Sequence, residues 1–505
     1  MLSQRQAPLV AALQQCGQRP NVAFYTPGHK RGQGISALHR AVLGGEVFRV
    51  DLPELPELDN LFAPAAVIAQ AQSLAAEAFG AERTYFLANG STCGIEAAIL
   101  ATCGPGDKLI LPRNVHRSAI SGLILSGAMP VFVSPVYDDG WQLAIGVTPT
   151  AIAAALTEHP DAKAVLIVSP TYQGICADVG AISAITHRYS LPLIVDEAHG
   201  PHFAFHADLP MPALQAGADV VIQSTHKVLS ALTQASMLHV QGGRCDRNRL
   251  LQALQMVQST SPSYLLLASL DAARHQMANH GSVLMARTLA LAEQARQELN
   301  QLLPLRTLQQ ADLSEEFRLD LTRLTLDCST LGITGFDADE LLNEQFSVTA
   351  ELPTLNLLTF IVSLGNTAND IEQLGDAVKE LVQNLVDPLR TSLKSKIPST
   401  SSGQATRYPL PTPHSSLPTF SPRQAFFTSS QACPLADATG QISAETVCAY
   451  PPGIPTLMPG EAITETAIAQ LQMLQQAGAT FTGNSDVSLK TLRVVQPHLP
   501  TFPPH

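Results

Sequence analysis

The chain has 505 residues, 45% hydrophobic and only 14% charged, enough for about two or three domains around a sizeable core. Its net charge of −12 argues against nucleic acid or an anionic membrane surface as partner and leaves a small cationic ligand open. The eight scattered cysteines form no CxxC pair, so neither a disulfide framework nor a metal site is expected. No run of about 18 apolar residues occurs and the N-terminus carries no cleavable leader pattern, so the expected compartment is the cytoplasm, with no membrane contact.

In chain order, residues 1–60 read as an N-terminal arm or linker, followed by a large domain over 61–302. Within it, short apolar runs alternate with helical patterns. The strand candidates are TYFLA (84–88), DKLILP (107–112), PVFVS (130–134), AVLIVS (164–169), PLIVDEA (192–198), DVVIQS (219–224) and SMLHV (236–240). TPTAIAAALTEH (148–159) and VGAISAITHRYS (179–190) carry helical periodicity between them. Such alternation predicts an α/β fold with a mostly parallel sheet covered on both faces. A long helix rich in Ala, Leu, Arg and Gln is expected from about Ser269 to Leu302. A smaller α+β domain over 303–390 comes next, then a Ser/Pro-rich linker at 391–418 and a C-terminal domain over 419–505.

Three segments of the large domain carry chemistry. In FLANGSTCGIEAAILA (86–101) a strand ends, Asn89-Gly90 turns, and Ser91 and Thr92 open a helix. Such a helix start can hold a phosphate; helix capping by either hydroxyl is the plainer alternative. In PLIVDEAHG (192–200) Asp196 ends an apolar strand, where an ionised carboxylate needs a cationic partner, such as a pyridinium nitrogen, or several hydrogen bonds. Glu197 beside it reads as a surface charge. In QSTHKVLSALTQAS (223–236) Lys227 stands just past another strand end, where α/β proteins place their chemistry. A surface lysine is the bland reading. A phosphate-ready helix start, a strand-end Asp and a strand-end Lys are together the set that holds pyridoxal phosphate, with the amine forming a Schiff base to its aldehyde.

Around that set the sequence resembles the ornithine/lysine/arginine decarboxylase family. The likeness lies in SxHKxxSAxTQAS (224–236), FYTPGHKRGQG (24–34), DLPELPELDNLFAP (51–64), NGSTCG (89–94), RNVHRS (113–118), VDEAHG (195–200) and STSPSY (259–264). It continues in SPRQAFF (421–427) and ISAETVCAYPPGIPTLMPGE (442–461). The resemblance implies the aspartate-aminotransferase-like fold with a seven-stranded sheet. It implies Lys227 as the cofactor-carrying amine, Asp196 on the ring nitrogen, His116 stacked on the ring and Ala198 against its other face. It places Ser91, Thr92, Ser224 and His226 around the phosphate. It also implies a homodimer or dimer of dimers with shared active sites, in which Ser259 or Thr260 touches the partner's phosphate. With TPGHK starting at Thr26, no N-terminal wing domain is expected.

The implied activity is decarboxylation of lysine, arginine or ornithine to the corresponding amine. His226 or Lys227 are the candidates for delivering the proton to Cα. A carboxylate should meet the substrate's distal cation, and Glu445 heads the candidates, ahead of Glu461 and the Glu54/Glu57 pair. Two alternatives stand beside this reading. One is another enzyme of the same fold, an aminotransferase or aldolase, for which Arg318 or Arg323 would grip a carboxylate. The other is a non-catalytic regulatory relative.

Overall fold

The computed structural model describes residues 3–386, 420–450 and 453–496; the expected linker at 391–418 lies outside the described residues. All seven expected strands form: β1 (Arg83–Leu87), β2 (Lys108–Pro112), β3 (Met129–Val133), β4 (Ala164–Val168), β5 (Leu193–Asp196), β6 (Val220–Gln223) and β7 (Ser236–Val240). Their order in the sheet is β1-β7-β6-β5-β4-β2-β3. The pairs β5–β6, β2–β4 and β2–β3 are parallel, whereas β7 runs antiparallel to both β1 and β6. The mostly parallel sheet is therefore present, with β7 as the reversed strand. Strands such as AVLIV are apolar throughout because both faces of a parallel sheet are covered.

The chain folds as two compact units, Met1–Thr102 with Pro192–Arg287 and Cys103–Leu191 with Thr288–His505. In the first unit, helix α1 (Pro8–Gln18) is fastened by a wholly buried ion pair, Asp271 with Arg274. Asp271 accepts from Leu9 N at 3.0 Å, at the helix start, and Arg274 donates to the carbonyls of Gln4 and Gln6. The expected N-terminal arm thus includes a docked helix. A second helix of that segment, α2 (Ala37–Leu43), buries no residue. Helix α3 (Gly90–Thr102) lies very close to the sheet. A Cβ on Gly94 would stand 2.7 Å from Leu87 Cδ1 and 3.0 Å from Ile222 Cγ2, so a side chain here would push the helix start away from the strand ends.

In the second unit, helix α4 (Arg117–Ser126) follows β2 and stops at Gly127, whose φ of 76° is left-handed. The long helix α5 (Tyr264–Asn300) starts earlier than expected and ends in this unit. Its opening YLLL is a continuous apolar run that hides helical periodicity. A three-stranded antiparallel sheet follows: β8 (Arg323–Asp327), β9 (Leu352–Pro353) and β10 (Leu357–Ile361), with β10 in the middle. Two helices, Gly335–Phe346 and Ala368–Val386, share a core with it. The C-terminal region pairs β11 (Ser430–Pro434) with β15 (Thr491–Val495) and sets β12 (Val447–Tyr450) between β13 (Pro455–Leu457) and β14 (Thr480–Thr482). Helix Glu465–Gln476 closes its separate apolar core. Among the described residues, no helix is long and apolar enough to cross a membrane.

Candidate active site

The first unit sets five of the expected residues, Asp196, Ala198, Ser224, His226 and Lys227, at or just past the C-terminal ends of β5 and β6. β5 ends at Asp196, and β6 ends one residue before Ser224. The chain then makes a single helical turn, Thr225–Val228, which carries His226 and Lys227. The parallel register sets Asp196 opposite Ile222, so a short step separates the carboxylate's strand from the lysine's turn. Lys227 Nζ lies 2.9 Å from His199 Nε2. An ammonium carries only donors, so the imidazole nitrogen accepts from it.

Asp196 is buried, and its Oδ1 accepts from Ala198 N at 3.2 Å. Burial raises its pKa, and the charge of Lys227 and the Ala198 amide act against that rise. A carboxylate so placed is stabilised in its ionised form by a further cation. Ala198, also buried, presents only a methyl group beside it.

The hydroxyls stand at the start of α3. Gly90 adopts a φ of 77° as the chain leaves β1, and Ser91 Oγ accepts from Ser224 Oγ at 2.8 Å. Thr92 is exposed one residue on. Oriented helix amides with hydroxyls from two elements form a cradle for an anion. Thr225 adds a buried hydroxyl that has no hydrogen-bond partner among the described residues. His226 Nδ1 donates to the carbonyl of Ala235 at 3.0 Å, leaving the lone pair on Nε2. Burial lowers its pKa, the Ala235 bond opposes this and Lys227 adds to it, so the imidazole is held neutral. Ser259 N donates to Asn89 Oδ1 of its own chain at 3.3 Å, while the Ser259 and Thr260 side chains stay exposed.

His116, Glu445 and Glu461 belong to the second unit. His116 caps α4, and its Nδ1 accepts from Ser118 N at 3.2 Å. A main-chain N–H can only donate, so the proton of the neutral imidazole sits on Nε2. Glu445 is buried, and its carboxylate accepts from Arg493 N, Ser485 N and Ser485 Oγ at 2.7–2.8 Å. These bonds tie β15 and the loop before it to the Glu445 segment. Glu461 forms a two-pronged pair with buried Arg113, at 3.0 Å on each prong. In the first unit Glu57 pairs with Arg19 at the surface, and Glu54 accepts from Asn60 Nδ2 and Leu61 N.

One residue near this site went unread in the sequence, and one was read wrongly. His199 lies in a quoted motif, but it meets Lys227 only through folding, and its one signal was a position three residues beyond Asp196. Glu197 was read as a surface charge and is in fact fully enclosed: Oε1 accepts from Ala213 N at 2.8 Å and Oε2 from Gln223 Nε2 at 2.7 Å. A strand end reveals a carboxylate's exposure poorly when the covering loop comes from residue 213.

This sheet, with a lysine beyond one strand end and an aspartate closing its neighbour, defines an aspartate-aminotransferase-like fold, the fold type I of pyridoxal-phosphate enzymes. The chain belongs to the Orn/Lys/Arg decarboxylase family, whose major domain matches residues 7–321 and whose C-terminal domain matches residues 412–487. It is 39% identical over 497 residues to the arginine decarboxylase of Bacillus subtilis (strain 168), covering 98% of this chain and 99% of that one. It is 38% identical over 501 residues to the arginine decarboxylase of Bacillus anthracis, covering 99% of each. Among solved structures, the Francisella novicida lysine decarboxylase LdcF superposes with a TM-score of 0.80 at 23% identity, over 97% of this chain and 80% of that one. The constitutive lysine decarboxylase of E. coli gives 0.79 at 23%, over 97% and 82%. At that identity the likeness is one of fold.

Proposed function

We propose that the chain is a pyridoxal-phosphate-dependent decarboxylase of a basic amino acid, arginine first, releasing the corresponding amine and CO2. The observation that carries this reading is Lys227, held by His199 at the strand ends beside a buried Asp196, with the Ser91–Ser224 hydroxyl pair at the start of α3. The residues fit the cofactor by their chemistry. The hydroxyls and helix start suit its phosphate, Asp196 needs a cation such as the ring nitrogen, and Lys227 can hold its aldehyde. Arginine comes first because relatives matched over almost their whole length bear that activity in their names.

When bound, pyridoxal phosphate supplies the electron sink that takes up the pair left on Cα as CO2 departs. The chain's own residues do the rest. Asp196, ionised beside the ring nitrogen, keeps a proton there. Lys227 would hold the cofactor's aldehyde through its amine, within reach of a substrate amine that competes for it. His199 Nε2 takes up a proton from Lys227 Nζ when the amine must act as a nucleophile. Of the two candidates for protonating Cα, Lys227 is favoured, because burial keeps His226 in its neutral form with Nε2 as an acceptor. His116, with its proton on Nε2, offers a flat neutral ring for stacking.

Unlike the competing aminotransferase reading, this one asks for no small-domain arginine on the substrate carboxylate. Arg323 is fully buried, with Asp320 at 3.8 Å and Thr322 Oγ1 at 3.2 Å, and Arg318 reaches main-chain carbonyls. The working form is a homodimer with shared sites. Support comes from apolar side chains left exposed on the N-terminal segment, Val22, Phe24, Leu38 and Val42, where α2 buries nothing.

Borohydride reduction of the pyridoxal-phosphate-loaded protein should fix the cofactor on Lys227, located by peptide mass. Lys227→Ala should lose both that label and amine production from arginine. A label on Lys30, or none, would sink the proposal.

A further inference from the structure

The C-terminal domain reaches the turn that carries His116. Arg113, three residues before it, is almost completely buried, and its guanidinium donates to acceptors of that domain. Nη1 donates to the Pro455 carbonyl at 2.7 Å, Nη2 to the Thr456 carbonyl at 3.1 Å, and Nε and Nη2 to Glu461. Without those acceptors a guanidinium would be left buried and unpaired, so the turn between β2 and α4 depends on the C-terminal domain for its geometry. Glu461 is held in turn by Met458 N. One residue past His116, Arg117 N donates to the Gly453 carbonyl at 3.1 Å. Gly453 has a φ of 79°, and a Cβ there would stand 3.3 Å from His116 Nε2 and 3.4 Å from Cδ2.

We propose that Gly453 is a positioning residue for His116: it borders the Nε2 edge of the imidazole, Ser118 holds the Nδ1 edge, and the Arg113–Glu461 pair keeps Gly453 in place. The orientation of the imidazole is thereby set by the C-terminal domain. This rests on the pyridoxal-phosphate reading above. Neither Gly453 nor Arg113 has a group suited to the chemistry itself, so both act through His116.

Gly440 supplies the control. It lies in the same domain with a φ of 80°, yet a Cβ there would meet nothing within 4 Å. Gly453→Ala and Gly440→Ala therefore impose the same left-handed strain, and only the first crowds His116. Both proteins are loaded with pyridoxal phosphate, and the visible circular dichroism of the bound cofactor and its rate of loss are recorded. Gly453→Ala should change the visible band and speed cofactor loss by roughly three- to tenfold, the size of one weakened ring contact. Gly440→Ala should change neither. In a His116→Ala background, Gly453→Ala should add nothing further. Glu461→Gln, which loosens the Arg113 clamp, should share that dependence on His116 and serves alone if Gly453→Ala does not fold. Equal behaviour of the two glycine variants, or an undiminished Gly453 effect (Glu461 effect, where it serves alone) without His116, overturns the inference. A wild-type protein that takes up no pyridoxal phosphate overturns the parent reading, and this one with it.

Discussion

Replacing Glu197 by Gln tests the buried polar chain beneath the strand ends. In that chain Gln223 Nε2 donates to Glu197 Oε2, Gln223 Oε1 accepts a hydrogen bond from His239 Nε2 at 3.0 Å, and His239 Nδ1 accepts one from Thr84 Oγ1 at 2.7 Å. Every donor points toward Glu197, and burial pushes His239 down to about 3, so the chain carries no cation of its own. Burial pushes Glu197 up to about 8 from an ordinary 4.5, against the pull of the Gln223 and Ala213 bonds. The folded state thus holds this proton more tightly than the unfolded chain does. Stability is full below the unfolded pKa and falls as pH rises from there through the folded value. A gap of about 3.5 units sets a ceiling of ~5 kcal/mol on that fall, at 1.36 kcal/mol per unit, and relaxation should leave about half. A Gln at 197 mimics the protonated acid. Its NH2 is met by turning Gln223 over and moving the His239 proton to Nδ1, which Thr84 then accepts. Urea unfolding followed by circular dichroism, from about pH 5 to 8.5, should show stability declining in the wild type by ~2–4 kcal/mol. It should stay nearly level in Glu197→Gln, with the variant the more stable protein at the alkaline end. Two parallel curves would refute the placement of that proton.

Asp196→Asn keeps the shape and removes the charge, so turnover of arginine should fall by about two orders of magnitude or more while cofactor affinity falls less, as read from kcat and from equilibrium dialysis. For Glu445→Gln, an NH2 in place of one oxygen leaves either the Ser485 donors or Arg493 N without an acceptor, which should cost on the order of 1–3 kcal/mol in thermal unfolding, with KM for arginine shifting less than about twofold. A KM rise of about tenfold or more at unchanged stability would instead give Glu445 the substrate's distal cation. Mixing Lys227→Ala with the double variant Ser259→Ala/Thr260→Ala should restore up to about a quarter of wild-type activity, because about half of the dimers are mixed and each carries one intact site in two. No recovery despite proven exchange of chains would confine that segment to its own subunit, where Asn89 already holds Ser259.

The strands were legible because each is a short apolar block between turn signals, and the site was legible wherever chemistry and strand end coincide, as at Asp196 and Lys227. Direction was not legible. SMLHV is buried throughout, and an apolar run reads the same for either orientation, so the antiparallel β7 left no mark in the sequence. Contacts across long separations were equally silent. Nothing near residue 113 announces Glu461, 348 positions away, although the two make the firmest polar link between the His116 turn and the C-terminal domain. Capping boxes, by contrast, are local, and Thr334 with Asp337 or Ser421 with Gln424 could be read directly.

The neighbours Asp196 and Glu197 show why a motif alone underdetermines a role. Both are carboxylic acids at one strand end, both are buried, and burial raises both. Their surroundings then part them. Asp196 feels the charge of Lys227, whereas Glu197 is met only by the neutral donors of Gln223 and Ala213. On the function proposed, a cationic ring nitrogen beside Asp196 favours its ionised form, and nothing comparable reaches Glu197. One acid is then charged to hold a proton on the cofactor. The other, pushed up by burial, fastens the residue just past β5 to Gln223, four residues before Lys227.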